Sequence, residues 1–248
     1  MQISTNYNIK NDELKGKIIL VTGANRGFGR AITLDLAKAG ATVIMLGRDL
    51  GALEVVYDEV VDAGFAQPIL YPLDLEGATP EHYQQLQEEL SDQFGALDGL
   101  IHNAGILGTM MPIEQYDIKL WHSVMQINLN AAFMLTRALI SVLNKAVAAR
   151  VLFLSSSVGR SAKAYWGAYG VSKFALEGLS KTLAEELEAT NISVNSLDPG
   201  SMRTEMLRAA YPAKNTDKIP LPESKSPAIV YLFTDDSKGI NGEKLSLF

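Results

Sequence analysis

Tyr169 and Lys173 stand four residues apart in Tyr169-Gly170-Val171-Ser172-Lys173, so on a helix a phenol and an ammonium share one face. Such a pair can move a proton. A phenol with a pKa near 10 is a poor base at neutral pH, and a cation beside it stabilises the phenolate. With 9 tyrosines in 248 residues, a Y-x-x-x-K pair is expected about half a time by chance, so its setting has to carry the reading. Thirteen residues earlier, Ser155-Ser156-Ser157-Val158-Gly159 ends an apolar run, and open α/β sheets bind ligands at the carboxyl ends of their strands. Asn103-Ala104-Gly105 ends an earlier run in the same way.

A second chemistry is phosphate binding. Thr22-Gly23-Ala24-Asn25-Arg26-Gly27-Phe28-Gly29 follows the first apolar run and opens a helical pattern. Glycines there allow a tight turn and close approach of the backbone to a pyrophosphate, and the helix N-terminus offers unpaired N–H groups to the anion. The spacing is G-x-x-x-G-x-G rather than G-x-G-x-x-G, and turn geometry alone would also account for these glycines. Roughly 20 residues on, where NAD enzymes place an acid on the ribose, the chain reads Met45-Leu46-Gly47-Arg48-Asp49. Glycine stands in the expected place of the acid, and Arg26 and Arg48 together suit a 2′-phosphate, so the reading is NADP in preference to NAD. Asp49 is the competing reading: a shift of one residue puts a carboxylate near the ribose, and either arginine could be a solvated surface charge.

The elements that must position these residues alternate. Short apolar, β-branched runs occupy 17–22, 41–46, 67–73, 97–103, 150–155 and 192–197, and helical spacing fills 27–39, 50–63, 80–94, 118–146 and 166–189. Parallel neighbours need a long crossover, so the pattern predicts an α/β, Rossmann-type, doubly wound parallel sheet of six to seven strands with helices on both faces. The seventh is a final edge strand over 243–247. Residues 1–248 are expected to form one catalytic, dinucleotide-binding domain, with 1–16 as a polar surface arm and 205–222 as a mobile loop over the site. Ser226 is expected to cap a short helix begun by Pro227.

Composition narrows the function. A net charge of -6 with dispersed basic residues argues against binding nucleic acid. Without cysteine there is no disulfide, thiolate nucleophile or thiolate zinc site, and His82, His102 and His122 lack metal-ligand spacing, so no metal centre is expected. No apolar leader and no run of about 18 apolar residues is evident, so the expectation is a cytoplasmic protein with no membrane contact.

Together TGxxxGxG, NAG, Asn128, Ser156, YxxxK and PGxxxT resemble the compact short-chain dehydrogenases/reductases, over about 14–242. HNAGILG, VMQINLNAAFMLT and SSSVGRSAKAYWGAYGVSKFA are similar to the YciK-like bacterial branch of that family. Longer epimerase-type relatives space their glycines differently. The resemblance implies an NADP-dependent alcohol dehydrogenase or carbonyl reductase in which Tyr169 is the general acid or base and Lys173 binds the nicotinamide ribose and lowers the phenol pKa. It implies that Ser156, three before Gly159, orients the substrate oxygen, and that Asn128 holds a water linking Lys173 to solvent. It further assigns Asp74 and Leu75 to the adenine, Asn103 to the adenosine-side ribose beside Ala104 and Gly105, and Pro199, Gly200 and Thr204 to the nicotinamide carboxamide. His102, where many relatives have Asn, is expected to pack rather than catalyse.

A small-molecule carbonyl or alcohol is the expected partner. Leu107, Met110, Met111, Val158, Tyr165, Trp166, Met202, Met206 and Tyr211 flank the site residues and could form an apolar pocket or simply be core. Apart from Arg150, the segments before the fifth strand and after the fifth helix are neutral, which counts against an acidic carrier protein as substrate. The resemblance implies a homodimer through the fourth and fifth helices, with a tetramer through the last strand in doubt. The rival reading is a nucleotide-sensing binding protein on the same fold without catalysis.

Overall fold

Val21, Val43, Ile101 and their neighbours are apolar without alternation because both faces of their strands are covered. In the computed structural model, which describes residues 1–247, the strands are β1 (Gln2–Ile3), β2 (Ile18–Thr22), β3 (Thr42–Gly47), β4 (Ile69–Pro72), β5 (Gly99–His102), β6 (Ala149–Leu154), β7 (Ile192–Asp198) and β8 (Lys244–Leu247). Phe248, the last residue of the expected domain, lies outside the described residues. The strands form one parallel sheet in the order β1-β8-β7-β6-β5-β2-β3-β4.

The helices are α1 (Gly27–Lys38), α2 (Leu50–Asp62), α3 (Pro80–Phe94), α4 (Ile118–Met125), α5 (Ala131–Leu143), α6 (Gly167–Glu186), α7 (Glu205–Ala210) and α8 (Pro227–Tyr231). On one face Ile19, Val21, Val43 and Met45 pack with Ile32 and Leu36 of α1, Leu53 and Val56 of α2, and Ile229 of α8. On the other, Leu20, Ile44 and Leu46 pack with Tyr83 and Leu86 of α3, Leu135 and Leu139 of α5, and Leu176 of α6. Successive side chains of one strand therefore feed two separate cores.

Two expectations are corrected. The sheet has eight strands, not six to seven, because residues 1–16 are not simply an arm: Gln2 and Ile3 pair with Ser246 and Leu247 of β8, and Ile3 and Leu14 are buried. Two paired residues are too few to show a period. The Ser226 hydroxyl does not cap α8; it donates to the Asp35 carboxylate of α1. Elsewhere, 205–222 opens with the short helix α7, whose first turn Thr204 caps through the Leu207 N–H at 3.3 Å. The fourth helical stretch runs unbroken over Ile118–Leu143 through a π-helical turn at Gln126–Asn130. It is long and apolar enough to cross a membrane by length and composition, and half of its most apolar window is buried within the protein.

His102 packs, as its surroundings require. Its ring lies on Phe153 with centroids 4.7 Å apart, and Nε2 is 2.7 Å from the Thr136 hydroxyl. Burial, aided by the Lys173 charge, drives its pKa from 6.5 down to about 3. The unfolded chain therefore takes up a proton near 6.5 that the folded chain refuses until about 3, so stability is full above that window and falls as the pH drops through it. Urea denaturation should show up to about 1.4 kcal/mol lost per pH unit there, and His102→Asn should lack that component. Equal slopes in the two proteins would contradict it.

Candidate active site

The sheet order reverses at β2 and β5, and their carboxyl ends open a crevice between outgoing loops. The Thr22 hydroxyl accepts the N–H groups of Asn103 and Ala104, both at 3.0 Å. The Asn103 amide donates to the carbonyls of Thr22 at 2.9 Å and Gly23 at 3.1 Å. Asn103, assigned by resemblance to a ribose, thus holds the glycine turn with its Nδ2. A Cβ on Gly29 would lie 2.1 Å from the Gly23 carbonyl oxygen, so only glycine lets α1 start this close to the turn. Arg26, at the N-cap of α1, is extended and makes no capping bond with its side chain. The N–H groups of the first turn remain available to an anion.

At the end of β3, the Asp49 carboxylate caps α2 by accepting the Ala52 N–H at 3.0 Å. That engagement weakens the competing reading of Asp49. Arg48 is exposed, and Arg26, also exposed, pairs with Glu205 of α7 at 2.7 Å. After β4, Asp74 accepts the Glu76 N–H at 3.1 Å and Leu75 is buried. Arg26, Arg48, Asp49, Asp74, Leu75 and Glu205 line a cavity of about 1040 Å³ that continues past Ala104 and Gly105 to the ends of β6 and β7.

Tyr169 is 7% exposed, and Lys173 4%. The Lys173 ammonium donates to the Leu154 carbonyl at 2.6 Å and lies 5.6 Å from the Tyr169 ring centroid. Burial pushes the phenol up to about 12, against a hydrogen bond with Ser156 that lowers it, and Asp198 raises it further. Burial lowers Lys173 to about 8, while Glu177, one helical turn along, acts in the opposite direction. The sequence therefore brings Ser156, Tyr169 and Lys173 together at the bottom of one cavity.

Asn128 lies in the π turn, where its Oδ1 accepts the Ile106 N–H at 2.8 Å. Its Nδ2 donates to the Ile106 carbonyl at 3.0 Å and the Ser172 hydroxyl at 3.1 Å. Its amide ties the segment after β5 to α6. Gly200 has φ +67, and its N–H donates to Asp198 at 2.9 Å.

The family profile described as short chain dehydrogenase matches residues 17–215. The chain belongs to the short-chain dehydrogenases. It is 42% identical over 236 residues to the oxidoreductase YciK of Escherichia coli (strain K12), a match covering 95% of this chain and 93% of that protein. A short-chain dehydrogenase from Pseudomonas syringae superposes with a TM-score of 0.94 at 48% identity, covering 97% and 98% of the two chains. One from Shigella flexneri 2a, solved in complex with NADP, superposes with a TM-score of 0.93 at 42% identity, covering 96% and 99%. The protein is thus an oxidoreductase of the YciK-like branch of the short-chain dehydrogenases.

The site of this short-chain dehydrogenase is also buttressed by residues that motif reading missed. Glu177 accepts from Arg160 Nε at 2.8 Å and from the Ser196 hydroxyl at 2.7 Å, forming a buried anion below Lys173. Its place four residues after Lys173 on one helix was a legible signal; Arg160 gave none. Lys225, remote in sequence, donates to the Pro199 carbonyl and fixes the Pro199-Gly200 turn. Of the apolar candidates, Leu107, Val158, Trp166, Met202, Met206 and Tyr211 line the cavity. Met110 and Met111 pack in small clusters beside it, and Tyr165 is exposed.

Proposed function

We propose that the chain transfers a hydride between NADP(H) and a carbonyl or alcohol substrate, with Tyr169 as general acid or base. The observation that carries this reading is the Tyr169 phenol, close to the Lys173 ammonium and sharing with Ser156 the cavity that also contains the phosphate-binding turn. The walls fit the cofactor: Gly23, Asn25, Gly27 and Phe28 at the pyrophosphate, with Gly29 behind them in the turn, Asp74 and Leu75 at the adenine, and Pro199, Gly200 and Thr204 at the carboxamide. The Ser155 hydroxyl in the same wall is buried without a partner among the described residues. With Asp49 engaged as a cap, Arg26 and Arg48 are left to read a 2′-phosphate, Arg26 by exchanging Glu205 for it. NADP also accompanies the S. flexneri relative.

When bound, NADPH supplies the hydride. In reduction, the Tyr169 phenol gives its proton to the carbonyl oxygen while the Ser156 hydroxyl hydrogen-bonds the same oxygen. Lys173 stabilises the phenolate left behind, and the same groups act in reverse in oxidation. The raised pKa keeps Tyr169 protonated at neutral pH, the state a proton donor requires. Arg150 turns inward to the Thr234 carbonyl at 2.9 Å, which leaves it poorly placed for an acidic carrier.

The same reading includes a homodimer through the long helical stretch and α6. Phe133 (51% exposed) and Phe174 (44%) give those helices uncovered aromatic surface. The free edge of β8 is covered by β1, which disfavours a tetramer through the last strand.

Tyr169→Phe should reduce carbonyl turnover by at least about 10²-fold and leave the NADPH dissociation constant within about twofold of wild type. Undiminished turnover would refute the assignment. In parallel calorimetric titrations, NADPH should bind at least about tenfold more tightly than NADH, from two charge-assisted contacts of about 1.5 kcal/mol each. Parity, or tighter NADH binding, would return the ribose to Asp49. Light scattering should give twice the 26.9 kDa chain mass, and a monomer would rule out the helix-paired dimer.

A further inference from the structure

At the end of the cavity beyond Tyr169, Lys163 Nζ donates to the Tyr211 hydroxyl at 2.7 Å and sits over the Trp166 ring at 5.7 Å and the Tyr211 ring at 5.2 Å. The Trp166 ring stands 5.6 Å from the Tyr169 ring, so the ammonium is no further from the reacting phenol's ring than those two Trp166 contacts laid end to end. Neither Lys163 nor Arg208, which line the cavity, nor Lys214 over Tyr211 has a carboxylate at salt-bridge distance among the described residues. The carboxylates lining the cavity are all engaged: Asp49 with Ala52 N–H, Asp74 with Glu76 N–H, Asp198 with Gly200 N–H and Glu205 with Arg26. Six cations, Arg26, Arg48, Lys163, Lys173, Arg203 and Arg208, line the cavity against these four carboxylates, and in a chain of net charge -6 that excess marks it as anion-seeking.

Two further observations point to a ligand. Trp166 Nε1 is buried and has no acceptor among the described residues, a state that native structures resolve with an ordered water or a bound group. Tyr165, in the turn presenting Lys163, is held at φ +71, its carbonyl accepting the Met111 N–H at 3.1 Å. Backbone strain of this kind in a non-glycine residue clusters at ligand clamps.

We propose that the substrate carries an anionic oxygen group, a carboxylate or a phosphate ester, several bonds from its reacting carbon. Lys163 on its Trp166–Tyr211 platform holds that group. The aromatic rings between phenol and ammonium take the intervening apolar segment. This inference rests on the hydride-transfer reading for its reacting carbon, but not for its anion site.

The test uses a graded series of keto acids, their methyl esters and the matching ketone phosphates, with two readouts. NADPH oxidation gives KM and kcat, and with NADP⁺ bound, Trp166 fluorescence gives binding in a Trp121→Phe background that leaves it the only indole. The charged compounds should bind and be reduced with KM at least about tenfold below their esters. Lys163→Met should erase that preference, and Lys163→Arg should retain it. Whether acid or phosphate is favoured identifies the group. Equal KM for acids and esters, or a Lys163→Met effect that is the same on both, would overturn the proposal. Charge-dependent quenching without reduction would uphold the anion site and overturn hydride transfer; reduction of neutral carbonyls with no preference for acids would do the reverse.

Discussion

Between β2 and β5 the sheet changes direction, one set of connections leading on to β3 and β4 and the other to β6, β7 and β8. Crossovers elsewhere cover the strand ends; here none does, and the bare ends become the crevice. Two neighbouring ends left uncovered still have to satisfy their polar groups. The Thr22 hydroxyl and the Asn103 amide do this by bonding across the gap. Everything functional is placed relative to that seam: the glycine turn follows β2, and Asn103, Ala104 and Gly105 follow β5. A Cβ on Gly105 would stand 3.8 Å from Lys173 Nζ.

Along α6, burial and charge oppose each other. Burial disfavours the charged forms of both Tyr169 and Lys173, which holds the phenol neutral and makes the ammonium easier to lose. The Leu154 carbonyl and Glu177 work the other way on Lys173. Glu177 is itself buried and bonded to Arg160, whose guanidinium reaches Ser246 of β8 at 2.8 Å. Tyr169 and Lys173 thus sit beside an ion pair that ties α6 to β8, and a buried ion pair broken on one side leaves a costly unpaired charge.

The parallel sheet, its order of elements and the family were legible because they rest on long apolar periods and on motifs of close spacing. The meeting of Tyr169, Lys173 and Ser156 in one cavity was readable for the same reason. Partnerships between residues remote in the chain were not: Arg26 with Glu205, Lys225 with Pro199, and Arg160 with Glu177 form only once the sheet has brought them together. Local chemistry also misled where a side chain had two possible uses. Ser226 was expected to cap a helix and instead bonds Asp35, while Asp49, the rival reader of the ribose, also caps α2. Trp166 and Tyr211 were read as apolar wall, and only their arrangement around Lys163 shows their polar ends.

The pairing of β1 with β8 joins residues 2 and 246. Closing so long a loop adds little entropy cost beyond that of a shorter one, because the cost grows only logarithmically with length. Its effect is on timing. β1 is made before the other strands of this sheet and has no partner until β8 exists, so the β8 side of the sheet is the last to be sealed. Until then β8, once docked on β7, presents a row of unpaired N–H and C=O groups to any extended chain nearby. The two residues of β1, by pairing with β8, cover those groups late.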